Sequence, residues 1–119
     1  MKIQINTDVN IQSNEALTAM VQDAIHHALS RFAEHITRIE VHLSDENAGK
    51  NGQRDQRCMM EARLEGRQPV AVTEQAPAMA QAVQGAAQKL ALEIISSSPR
   101  YFFHFLKLQL QLEDILKET

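Results

Sequence analysis

The stretch Thr37-Arg38-Ile39-Glu40-Val41-His42-Leu43-Ser44 alternates polar and apolar side chains without a break. A β-strand turns successive side chains to opposite faces, so Ile39, Val41 and Leu43 read as a buried side and Arg38, Glu40 and His42 as a wet one. Arg57 to Glu65 repeats the pattern, with Cys58, Met60, Ala62 and Leu64 set against Arg57, Met59, Glu61, Arg63 and Glu65. Between the two, Ser44 to Arg54 is polar and carries glycines, the composition of a hairpin loop. Gly66 then turns the chain towards a further strand from Pro69 to Thr73, where Pro69, lacking an N–H, belongs at a strand start or an edge.

Working outward, Lys2 to Asn6 places Ile3 and Ile5 on one side and Lys2, Gln4 and Asn6 on the other, giving a first strand. Ser13 is positioned as a helix N-cap and Glu15 favours the positive end of the helix dipole. Leu17, Met20, Val21, Ala24, Ile25, Ala28, Leu29 and Phe32 then recur at helical spacing, predicting a helix from about Asn14 to Ala33. After Thr73, Pro77 suits a first helical turn, and Met79, Val83, Ala86, Leu90 and Ile94 line one face of a second helix. The order is βαβββα. The expected architecture is α+β, one four-stranded sheet with two helices packed on one face, because each helix offers one apolar stripe and each strand one apolar side. The opposite face of the sheet stays in water, and its outward side chains are where function is to be sought.

Composition narrows the classes. A chain of 119 residues that is 44% hydrophobic suits one core. No run approaches the roughly 18 apolar residues needed to cross a bilayer, so no membrane association is expected. The alternating N-terminus lacks the continuous apolar stretch of a secretory signal, and the expected location is the cytoplasm. The single cysteine, Cys58, allows no internal disulfide. With 12 basic and 15 acidic residues the net charge is −3, so no global positive field advertises a polyanionic partner.

The segments His35-Ile36-Thr37-Arg38-Ile39-Glu40-Val41-His42-Leu43-Ser44 and Met60-Glu61-Ala62-Arg63-Leu64-Glu65-Gly66 resemble strands two and three of the ribosome hibernation-promoting factors, in particular the short, sigma-54-modulation-like forms. Upstream, Ile3 to Asn6, Glu15-Ala16-Leu17 and Leu29-Ser30-Arg31-Phe32 resemble that family's first strand and helix. Downstream, Val70-Ala71-Val72-Thr73, Met79, Ala82-Val83 and Ala86-Ala87-Gln88-Lys89-Leu90 resemble its last strand and second helix. The likeness implies a family-like domain over residues 1–95, followed by a tail over 96–119. It also implies a translational silencer of stress or stationary phase, lodged on small-subunit rRNA in the mRNA and tRNA channel of the small ribosomal subunit. No catalysis, cofactor, metal or small-molecule substrate goes with that role. Carried over by position, the RNA contacts would be Arg38, Arg57, Arg63 and Arg67 on strands two and three and the following turn, with Lys2 and His42 on the same sheet face. Lys89 on helix two, otherwise poor in basic residues here, and Arg31 at the end of helix one complete the set. Lysines and arginines suit this task because each phosphate they neutralise releases condensed counterions. The competing reading is that these arginines pair across strands with Glu40, Glu61 and Glu65.

The tail matches nothing in that family. Ser96-Ser97-Ser98-Pro99 interrupts helix two, since proline disfavours helix in the residue before it. Tyr101, Phe102, Phe103 and Phe105 make an apolar cluster expected to be hidden from water. Leu106, Leu108, Leu110 and Leu112 alternate as in a strand, yet Phe105, Leu108, Leu112 and Ile115 also satisfy a helix, and the pattern does not choose. Tyr101, Phe102, Phe103, Phe105, Leu108 and Leu112 either form a homodimer or partner-docking element or strap the protein's own core.

Other chemistry is weakly signalled. His26 and His27 are adjacent on a helix and diverge by about 100°, so with His35, His42 and Cys58 they do not converge as zinc ligands should. No phosphate-binding glycine loop, nucleophile elbow or triad spacing is present. Asp45-Glu46 reads as loop solvation, and Met59 and Met60 as packing residues, Met59 alone being placed to meet a base. Enzyme is the weakest class.

Overall fold

The computed structural model describes residues 1–46, 55–97 and 99–117, apart from the side chains at 99–102, 104 and 105. Its elements run β1 (Lys2–Thr7), α1 (Glu15–Leu29), a 3-10 segment (Ser30–His35), β2 (Ile36–Asp45), β3 (Gln56–Leu64), β4 (Val70–Ala76), α2 (Met79–Ser97) and α3 (Pro99–Lys117). The strands form one sheet in the order β1-β2-β3-β4, β1 parallel to β2 and the other pairs antiparallel. This is the βαβββα arrangement that the alternation predicts, with one helix added at the end.

The core lies between the sheet and the helix pair. Ile39, Val41, Leu43, Cys58, Met60 and Ala62 project from the sheet into a layer closed by Val21, Ile25 and Leu29 of α1 and by Val83, Leu90 and Ile94 of α2. Fully burying each large aliphatic side chain stabilises the fold by about 1.5–3 kcal/mol. Ala82, Ala86 and Ala87 are also buried, and their small side chains let α2 sit close on its neighbours. Cys58 is fully buried, and desolvation pushes its thiol up to about 12.

Local details correct the sequence expectation. The cap of α1 is Asn14, not Ser13: its extended backbone leads directly into the first turn and its Oδ1 accepts the Leu17 N–H at 2.9 Å. The α-helix stops at Leu29, short of Ala33, and tightens into the 3-10 segment that carries Phe32 into the core. Helix two begins at Met79, two residues beyond Pro77, and β4 continues past Thr73 to Ala76. Gly66 has φ +67 with nothing near its missing Cβ, so the β3–β4 turn uses glycine for backbone conformation and not for space. Of the hairpin loop from Ser44 to Arg54, positions 47–54 lie outside the described residues.

The tail is helical. A lone strand needs a ladder partner, whereas a helix satisfies its own backbone, and Leu, Gln, Lys and Glu are good helix formers behind a proline at the first position. In the single chain Phe103, the one residue of the tail's aromatic cluster whose side chain is described, is 66% exposed, and every side chain from Leu106 to Lys117 is exposed. Among its described side chains, α3 buries none. The side chains of Tyr101, Phe102 and Phe105 lie outside the described residues.

Candidate nucleic-acid interface

The sheet face opposite the helices is ordered by strand register into rows. Lys2, Arg38 and Arg63 stand side by side across β1, β2 and β3. The next row holds Gln4, Glu40, Glu61 and Ala71, the next Asn6, His42, Met59 and Thr73, and the last Ser44, Arg57 and Gln75. A cationic band thus borders an anionic one, followed by a mostly neutral platform.

A bulge sets the first row. The β2–β3 register shifts between Ile36 and Arg38, and the Thr37 hydroxyl donates to the Arg63 carbonyl at 3.0 Å. The extra residue lets both Ile36 and Ile39 face the core, three positions apart, while Arg38 stays level with Arg63 on the outer side.

Like charges face each other across the strands here, Arg38 against Arg63 and Glu40 against Glu61. The compensating pairs run along each strand instead: Arg38 with Glu40, and Arg63 Nε with Glu61 Oε1 at 3.4 Å. Cross-strand pairing of the arginines with these glutamates, the competing expectation, is replaced by pairing within a strand. Arg57 lies 3.9 Å from Glu46. Half-exposed pairs of this kind contribute about 0–1 kcal/mol, so an arginine can exchange its carboxylate for a phosphate at little cost. Among the described residues, Lys2 has no ion-pair partner and Arg38 Nε no hydrogen-bond partner.

The remaining basic candidates lie away from this face. Arg67, in the β3–β4 turn, donates from Nη2 to the Ser97 carbonyl at 2.9 Å and to the Ser97 hydroxyl, tying down the carbonyl end of α2. Lys89 on α2 donates to the Thr73 carbonyl at 3.0 Å and lies 3.4 Å from Glu74. Arg31 sits over the Phe32 ring with its guanidinium 5.8 Å from the centroid. Thus the structure brings together Lys2, Arg38, His42, Arg57 and Arg63, and sets Arg31, Arg67 and Lys89 on the helical side or its rim. The β4 contribution, Ala71, Thr73 and Gln75, was missing from the sequence reading, although the alternation over 70–76 carries it.

On the helical side, an open groove of about 830 Å³ between α1 and α2 is lined largely by alanines, with Asp23 and His27 one turn apart on α1. Among the described residues no group of three or more His, Cys, Asp and Glu could hold a metal ion, and no helix is long and apolar enough to cross a membrane.

Two solved structures share the fold. A ribosomal subunit interface protein from Coxiella burnetii superposes with a TM-score of 0.67 at 14% identity, covering 82% of this chain and 97% of its own. The N-terminal domain of Protein Y from Thermus thermophilus gives 0.66 at 21% identity, covering 82% of this chain and 100% of its own. A search of curated protein sequences returned no match. The model of the sigma 54 modulation protein / S30EA ribosomal protein family matches residues 3–98, from the second residue of β1 through the end of α2. The chain belongs to the sigma 54 modulation protein / S30EA ribosomal protein family.

Proposed function

We propose that this protein is a cytoplasmic, non-catalytic silencer of translation under stress or in stationary phase. In this reading residues 1–95 form the ribosome-binding domain and dock the open face of the sheet on small-subunit rRNA, where mRNA and tRNA would pass. The observation that carries the reading is the row Lys2–Arg38–Arg63, three cations in register on the one sheet face the helices leave uncovered. Family membership supports it, and so does the description of one structural relative as a ribosomal subunit interface protein. A flat face suits RNA, whose helices are met through shape and backbone, and each phosphate contact releases counterions. His42 and Met59, in the row beyond the glutamates, offer a surface on which a base can rest. The adjacent Glu40 and Glu61 subtract from the field, so binding is moderate and depends on docking geometry.

The test is sedimentation of the protein with ribosomes through sucrose gradients at several salt concentrations. Co-migration with the small subunit at low salt, lost as salt rises and lost in an Arg38→Glu, Arg63→Glu variant, is the expected result. Glu40→Gln, Glu61→Gln should do the opposite and hold the complex at higher salt. Protein that stays at the top of the gradient even at low salt overturns the proposal.

A further inference from the structure

The outer sheet face is striped in a way that RNA binding does not require. Strand register sets Lys2, Arg38 and Arg63 in one row, and Glu40 and Glu61, with Gln4 and Ala71, in the next. Like charges directly opposite across strands disfavour the single chain, and the ion pairs that offset them join each arginine to the glutamate two residues away on its own strand. A face that met phosphates alone would gain from losing the glutamates. The two rows are instead complementary to each other: adjacent, opposite in sign, and about 7 Å apart, the spacing of residues i and i+2 in a strand. A surface that pairs with its own copy across a two-fold axis must be self-complementary in this way.

We propose that this face pairs with the same face of a second copy of the chain, around a two-fold axis that runs perpendicular to the strands and between these two rows. The rotation lays each strand over the same strand of the other copy, running the opposite way. Arg38 of each copy then stands over Glu40 of the other, Arg63 over Glu61, and Lys2 over the amide of Gln4. Charge selects the axis. A two-fold along the strands, or one centred on either row, would set like over like. The same axis keeps two equally twisted faces parallel across the roughly 10 Å that separates packed sheets, a gap that facing arginine and glutamate side chains span. It turns isolated ion pairs into two clusters of four charges, one on β2 and one on β3, and networks hold better than single surface pairs. The side chains of Glu40 and Glu61 are 21% and 28% exposed in the single chain, so covering them removes little further hydration. Four strands and four rows make a face of about 500 Å² per copy at ordinary sheet spacings. The total of about 1,000 Å² is at the low end for a specific interface, so the dimer is weak, reversible and salt-sensitive. It covers the row proposed to meet RNA, so self-pairing and ribosome docking exclude one another; that exclusion rests on the RNA reading, whereas the dimer does not.

Sedimentation equilibrium of the full chain without ribosomes, from micromolar to submillimolar concentration and from low salt to about 1 M, where the Debye length is about 3 Å, tests the pairing. A monomer–dimer equilibrium at low salt, lost at high salt, is expected. Glu40→Gln, Glu61→Gln, conservative changes on the open face, should weaken the dimer several-fold, the opposite of their expected effect on ribosome binding. Arg38→Glu, Arg63→Glu and Glu40→Arg, Glu61→Arg, each with the circular dichroism of the parent, should be monomeric alone and form a heterodimer when mixed, a rescue that contact through any other surface does not give. A monomer at every concentration in low salt, a dimer indifferent to salt and to the glutamine changes, or absence of the heterodimer would each overturn the proposal.

Discussion

α2 and α3 follow one another in the chain, have 19 residues each, and are both amphipathic, yet one is built into the core and the other stands outside it. α2 buries Ala82, Val83, Ala86, Ala87, Leu90, Ile94 and Ile95. α3 buries none of its described side chains. The difference is in the size and distribution of the apolar residues. The contact face of α2 mixes alanine with a few branched residues, so the backbone approaches β3 and β4 and the large side chains join Met60 and Ala62 of β3 in one buried layer. The apolar positions of α3 are leucine and phenylalanine on more than one side of the helix, and the sheet surface they would need is already taken by α1 and α2. An apolar stripe shows that a helix has something to cover; its partner depends on which surfaces remain free.

The largest effect that could break this comparison is on stability. Leu90→Ala should destabilise the protein by about 2–5 kcal/mol, since it removes a fully buried side chain from a packed layer. Leu112→Ala, measured by urea unfolding at a concentration where the protein is monomeric, should change stability by less than about 0.5 kcal/mol. Similar losses at both sites would mean that α3 is part of the core after all.

How well α2 and the sheet seal the interior is read by pH. Burial lifts the Cys58 thiol from 9.0 to about 12. Below about pH 9 both the folded and unfolded chains keep the proton and stability is unaffected. Above it the unfolded chain releases the proton first, so stability falls by about 1.4 kcal/mol per pH unit until the folded thiol also ionises. Subtracting the curve of a Cys58→Ala variant isolates this component, because every other side chain is common to the two proteins. A difference that is flat with pH would mean that water reaches the thiol.

The smallest effect probes how close α2 lies. A Cβ added at Gly85 would stand 2.7 Å from both Glu74 Cγ and Glu74 Oε2, and Glu74 is the residue that Lys89 holds from the same helix. Alanine is favoured over glycine in a helix by about 1 kcal/mol. That gain should appear for Gly85→Ala in a Glu74→Ala background and shrink or vanish in the parent, as a double-mutant cycle would show. Equal gains in the two backgrounds would mean that the glycine is not there to admit the glutamate.

Much of this was legible beforehand, for identifiable reasons. The period-two runs through Ile39, Val41 and Leu43 and through Cys58, Met60 and Ala62 assign faces because the pleat leaves no other choice. The cap shifted from Ser13 to Asn14 because both residues are good caps and only the start of the first turn separates them. Arg67 and Lys89 looked like free cations in sequence; their partners, the Ser97 carbonyl and the Thr73 carbonyl with Glu74, are 30 and 16 or 15 positions away in the chain. Nothing local announces such contacts.

The sequence by itself determined the element order, the inward and outward sides of each strand, and the family, because these rest on short-range periodicity and on residues read in order. The tertiary structure alone decided the rows. Whether Arg38 stands beside Arg63 or beside Glu61 depends on strand register and on one bulge at Thr37, and a slip of one residue would turn every side chain of a strand to the other face. It also decided that the tail is a helix left uncovered, since an alternating run of leucines can serve a strand or a helix until the free sheet edges and occupied faces around it are fixed.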